Sequence, residues 1–163
     1  MKPFQRLNEW KKDALFCLSE DNNRVAVAPD MGGRAFVEVG GLFVHRMDWE
    51  TVERPDRPFN NFGGVNLWPA PEGGPFGFNY RQEGWYVQPA INGQPSSVRG
   101  GDRTAVDLAK RISLVNRKGT LIEAEMSRSV AVVPPSQCLA DSGPVAILAL
   151  ETRDRFQLLN EVS

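Results

Sequence analysis

A chain of 163 residues, 41 % hydrophobic and 24 % charged, has the size and composition of one globular domain that buries roughly 70 % of its unfolded surface. Nineteen basic residues against twenty acidic ones leave a net charge of −1, which gives no electrostatic footprint for nucleic acid or an anionic membrane. No apolar run is long enough to span a bilayer, the opening MKPFQRLNEW lacks the apolar stretch of a secretory signal, and a cytoplasmic setting is expected.

Phe4, Leu7 and Trp10 stand three apart, which suits a short amphipathic helix over residues 3–12 packed on an edge and equally an irregular lead-in. Strand patterns follow. Leu15–Leu18 is apolar and closed by Glu20-Asp21-Asn22-Asn23, Arg24–Ala28 comes next, and Pro29–Gly33 is a turn. Ala35–Val39 alternates, Gly40-Gly41 reverses the chain, and Leu42–Met47 reads as another strand, so the first third predicts an antiparallel meander. Cys17 and Cys138 lie far apart in apolar surroundings and are expected to be reduced core thiols, with a single disulfide between them as the alternative.

From Trp49 to Asp102 strand patterning is nearly absent, apart from pieces at Phe76–Tyr80 and Trp85–Val87. Within this region PFNNFGGVNLWPAPEGGPFGFNYRQEGWY, residues 58–86, holds eight of the fifteen aromatics together with six glycines and four prolines. Such a composition breaks helix and central strand alike and holds its rings on a turn-rich backbone. Ala70-Pro71-Glu72-Gly73 suits a type I turn, and Trp68-Pro69-Ala70-Pro71 favours an extended path. Regularity returns with strands over Ala105–Val115 and Thr120–Val133, joined by the hairpin turn Asn116–Gly119. Val145–Glu151 continues toward Leu159, with strand favoured over helix. The fold class expected is all-β: one antiparallel β-sandwich domain over residues 1–163, carrying a long aromatic, Gly- and Pro-rich loop.

The loop reads as a binding platform. Trp68 or Trp85 would stack on the apolar C–H face of a mono- or oligosaccharide, with Asn61, Asn66, Asn79 and Glu72 taking its hydroxyls. The competing reading makes the same aromatics a plug at one end of the sandwich, or a protein interface, and Glu72 a solvated turn residue. His45, the only histidine, shares a strand phase with Phe43 and Met47 and reads as a packed residue rather than a base. No second histidine stands by to form a metal site or a Ser-His-Asp relay, and neither metal nor cofactor is expected. Glu72, Glu83, Asp102, Glu50 and Glu53 are the loop carboxylates, of which Glu72 is the catalytic candidate. Gly32-Gly33-Arg34 and Arg99-Gly100-Gly101 follow neither the P-loop nor the dinucleotide pattern, so phosphate binding is not expected from them.

Pro29-Asp30-Met31-Gly32-Gly33-Arg34, followed by a strand and a Gly-Gly turn, resembles the opening of galactose mutarotase-like (aldose 1-epimerase-like) proteins. Phe62-Gly63-Gly64-Val65-Asn66-Leu67-Trp68-Pro69-Ala70-Pro71-Glu72-Gly73-Gly74 is similar to an uncharacterised branch of that superfamily. The RISL strand, the hairpin and ALETRDRFQLLN follow in the expected order. The resemblance implies a partial β-supersandwich with a sugar cleft on one sheet, and adds Arg34 to the substrate-binding candidates. In the family a glutamate removes the anomeric hydroxyl proton while a histidine protonates the ring oxygen. Full members are about twice this length and carry that pair in the second half, which would begin near Asn160; His45 does not match the family's histidine. The expectation is therefore an aldose-epimerase-like isomerase fold that recognises sugar without the complete acid–base pair. It would be either the first half of a longer protein or a sandwich closed by homo-oligomerisation.

Overall fold

The computed structural model describes residues 1–11, 15–20, 22–54, 61–81, 84–134 and 146–160. Helix α1 (Pro3–Lys11) starts on a proline, which has no N–H to leave unpaired in the first turn, and buries Phe4 and Leu7. It lies against a four-stranded antiparallel meander, β1 (Phe16–Glu20), β2 (Asn23–Ala28), β3 (Arg34–Val39) and β4 (Leu42–Phe43), in that spatial order. β2 and β3 are buried on both faces. Val25, Val27, Ala35 and Val37 turn toward the second sheet, while Ala26, Ala28 and Phe36 turn toward Phe4 and Leu7 of the helix. That double covering explains why both strands read as almost continuous apolar runs.

Two short helices, α2 (Trp49–Glu53) and α3 (Pro89–Asn92), and a two-stranded ribbon, β5 (Tyr80–Arg81) with β6 (Gly84–Trp85), punctuate the aromatic region. The second large sheet has the order β10-β9-β8-β7, from β7 (Ser97–Gly101), β8 (Ala105–Val115), β9 (Leu121–Val133) and β10 (Ala149–Leu158). Its inner face carries the even-numbered residues of β8 and β9. Val106, Leu108, Val130 and Val132 pack on the first sheet, and Ile112, Leu114, Ala124 and Met126 pack under the aromatic loop with Phe78, Val87 and Ile91. The architecture is the expected all-β, antiparallel sandwich, with a helix added on one side.

Several local expectations change. The strand read over Leu42–Met47 ends at Phe43, because the chain leaves the sheet to reach Asp48, whose carboxylate caps α2 by accepting from Thr51 N at 3.2 Å. The segments α2, α3 and β7 carry regular structure where a long irregular stretch was expected. In the loop, the hydrogen-bonded turn runs from Gly74 to Gly77 rather than over Ala70–Gly73, and the Ala70–Pro71 peptide is cis. Cys17 is an exposed free thiol 3.6 Å from Asn8 Oδ1, because Leu18, its neighbour on the edge strand β1, takes the core-facing phase. Cys138 and Glu83 lie outside the described residues. No helix among the described residues is long and apolar enough to cross a membrane.

Candidate functional site

The aromatic loop is tied down at its centre. Val65 pairs with Ala35 of β3 through two backbone hydrogen bonds, of 3.0 and 2.8 Å. Gly63 and Gly64 precede it with φ of 72° and 73°, in the left-handed region that glycine adopts without cost. Gly63 also has no room for a side chain, since an added Cβ would lie 2.3 Å from the carbonyl oxygen of Arg46. Farther along, Gln88 binds Phe78 O at 2.7 Å and Val115 O at 2.8 Å, and accepts from Val115 N at 3.0 Å. These bonds close the accounts of backbone groups that have no sheet partner, and so hold an irregular segment in one conformation.

Clefts open on both sides of this anchored run. One, of about 520 Å³, is polar and is lined by Val44, His45, Arg46, Asp48, Asn61, Gly63 and Gly64. His45 packs edge-on against the rings of Phe36 and Phe43, at centroid distances of 6.1 and 5.7 Å. Burial pushes its pKa below the usual imidazole range, so the ring is neutral at pH 7. Its Nε2 is buried without a hydrogen-bond partner among the described residues, and this is the packed histidine the sequence suggests rather than an exposed base.

The other cleft, of about 600 Å³, falls in the size range of small-molecule sites. Leu67, Trp68, Pro69 and Ala70 form one wall, Phe78, Ile122 and Met126 the floor, and Phe156 and Leu158 of β10 the far wall. Asp154 is the carboxylate of this lining, and its Oδ1 lies 3.4 Å from Arg128 Nε. Register explains the juxtaposition. β10 pairs with β9 so that Asp154 stands opposite Arg128, Phe156 opposite Met126 and Leu158 opposite Ala124, all on the inner face.

The residues expected to act together are dispersed. Trp68 is half-buried on the apolar cleft, whereas Asn61 lines the polar one and accepts from Gly63 N at 3.1 Å. Glu72 is exposed and lies off both clefts. Trp85 is 48 % exposed on the β5–β6 ribbon, also off both clefts. Asn79 is fully buried and Asn66 half-buried, each with both side-chain polar atoms unpaired among the described residues. Arg34 is buried, donating from Nη1 to Gly63 O at 2.7 Å and from Nη2 to Asn92 Oδ1. Sequence reading overlooks Asp154 and Phe156, which only the β9–β10 pairing brings to the loop. It also overlooks Lys110 and Arg128, although both interrupt the apolar phase of an alternating strand, and that is a visible signal. No group of three or more His, Cys, Asp or Glu side chains able to hold a metal gathers among the described residues.

Residues 4–143, most of the chain, match the model of the family of unknown function DUF6786. No curated protein matches the chain. No solved structure matches it either.

Proposed function

We propose that this chain, which belongs to the DUF6786 family, is a carbohydrate-recognising protein of aldose-epimerase-like type that works without a complete acid–base pair of its own. The observation that carries this reading is the cleft in which the Trp68 wall faces Phe156 across an apolar floor, with Asp154 at hand. A pyranose has an apolar C–H face that stacks on an indole and a rim of hydroxyls that a carboxylate accepts. Trp68 supplies the first and Asp154 the second, so Asp154 takes the role that the sequence assigns to Glu72. Ring opening needs one group to remove a proton and another to deliver one. His45 lines the opposite cleft, and Asp154 is the carboxylate on this one, which favours recognition over turnover.

A second reading rests on β10. Its far edge has no partner strand among the described residues, and Phe156 and Leu158 are 41 % and 51 % exposed. An apolar, unpaired edge of this kind suits a noncatalytic protein interface. Fluorescence titration with a panel of mono- and oligosaccharides separates the two. Sugar binding is expected to quench or shift tryptophan emission, with the response lost in Trp68→Ala and kept in Trp85→Ala. A silent panel, joined by concentration-dependent dimerisation that Trp68→Ala or Phe156→Ser disrupts in sedimentation, would replace the first reading with the second.

A further inference from the structure

Where the Gly32-Gly33 turn meets the inner face of the second sheet, three buried cations come near one another. Arg34 is 4 % exposed, Arg128 7 % and Lys110 8 %. Strand register sets two of them side by side: Lys110 pairs with Met126 and Leu108 with Arg128, which makes Lys110 and Arg128 diagonal neighbours on the inner face. The Gly32-Gly33 turn of the first sheet closes over both. A Cβ added at Gly32 would lie 3.6 Å from Lys110 Nζ, and one at Gly33 3.5 Å from Ser96 Oγ and 4.0 Å from Arg128 Cδ. The same Cβ atoms would lie 3.1 Å from Asn92 O and 3.1 Å from Leu108 Cδ1, so only glycine lets the turn approach the cations this closely.

Their polar atoms are only partly used. Lys110 Nζ donates to Ala90 O at 3.0 Å and reaches Gln94 O at 3.5 Å, both neutral carbonyls. Arg34 Nε and Arg128 Nη1 are buried with no hydrogen-bond partner among the described residues. The one described carboxylate ion-paired to the three is Asp154, through Arg128. Like charges held out of water without matching anions are costly, and each lowers the proton affinity of the next: Lys110 falls to about 8 through burial first and then through Arg34 and Arg128.

We propose that this cluster is a binding site for a small oxyanion, a phosphate or sulfate group, held by Arg34, Lys110 and Arg128 beneath the Gly32-Gly33 turn. Such a ligand offers three or more acceptor oxygens for the unpaired guanidinium N–H groups and supplies the negative charge the cluster lacks. The site is formed by topology rather than by a local motif, which is why Gly32-Gly33-Arg34 matches no phosphate-loop pattern. Its ligand is recognised by groups other than the Trp68 wall of the apolar cleft, although the two sites share Asp154. Asp154 lines that cleft and competes with the anion for Arg128.

Thermal unfolding and calorimetry of the full chain in sodium phosphate, sodium sulfate and sodium chloride, matched in ionic strength, test the site. Phosphate or sulfate is expected to raise Tm saturably where chloride does not. Lys110→Met, with its fold checked by circular dichroism, should weaken phosphate binding about tenfold or more. Asp154→Asn removes the competing carboxylate at the edge of the sheet and should tighten phosphate about fivefold, while weakening any sugar. Equal Tm in the three salts would overturn the proposal. So would a Lys110→Met protein that still responds like wild type, or an Asp154→Asn protein in which phosphate binds no more tightly.

Discussion

Gly63 shows how one backbone position can hold a surface. Its carbonyl accepts from the buried Arg34, its N–H donates to Asn61, and its Cα faces the Arg46 carbonyl so closely that a methyl group would sit 2.3 Å from that oxygen. The obstacle is backbone and cannot rotate away. Gly74 has an equally positive φ of 79°, yet a Cβ there would meet nothing within 4 Å. The pair separates conformational strain from collision. Gly74→Ala is expected to cost about 1 kcal/mol, the left-handed penalty alone. Gly63→Ala should cost about 3 kcal/mol, because the loop must shift off β3 as well. Urea unfolding of both variants measures the difference, and near-equal losses would mean that the loop yields at Gly63 without consequence.

At the scale of elements, the β8–β9 hairpin was the most legible part of the chain, and its turn shows why. Asn116 is 7 % exposed, and its Oδ1 accepts from Lys118 N at 3.0 Å and Thr120 N at 2.9 Å, while Gly119 takes a φ of 87°. Local turn chemistry and strict alternation agree there. Asn116→Ala strands two backbone donors and should cost about 2 kcal/mol, whereas Asn116→Asp keeps the acceptor and should lose less than half of that. Chemical denaturation of the two variants tests the ordering. β7 escaped notice because Ser97–Gly101 is exposed throughout, ends in Gly100-Gly101 and shifts register between Val98 and Gly100. Its pattern is that of an edge strand. Leu42–Met47 erred in the opposite direction, since apolar residues there serve a connection to the Asp48 cap rather than a strand. The Trp68 wall could be read from composition, but the opposing wall could not, because Asp154 and Phe156 arrive through a pairing that no local window contains.

For the molecule as a whole, the cation seam means that global stability should carry the signature of Lys110. In the unfolded chain a lysine titrates near 10.5, and in the folded protein Lys110 titrates near 8. Below pH 8 both states hold the proton, so the full penalty of charging a buried amine, about 3 kcal/mol, opposes folding. Between pH 8 and 10.5 the unfolded state binds more protons than the folded one, and stability attributable to this residue rises with pH. Other groups titrate too, so the informative quantity is the difference from Lys110→Met, which keeps the volume and removes the charge. In chloride at pH 7 the variant is expected to be the more stable, although it gives up the hydrogen bond to Ala90 O. Raising the pH to about 9.5 should then move the comparison toward wild type by about 2 kcal/mol. Parallel urea-unfolding curves for the two proteins at the two pH values measure that shift, and a difference that does not change with pH would mean that Lys110 reaches solvent and is not held beneath the Gly32-Gly33 turn. Repeating the pair in phosphate adds the link to the oxyanion site: a bound anion keeps Lys110 charged, so the wild-type slope should flatten while the variant is unaffected.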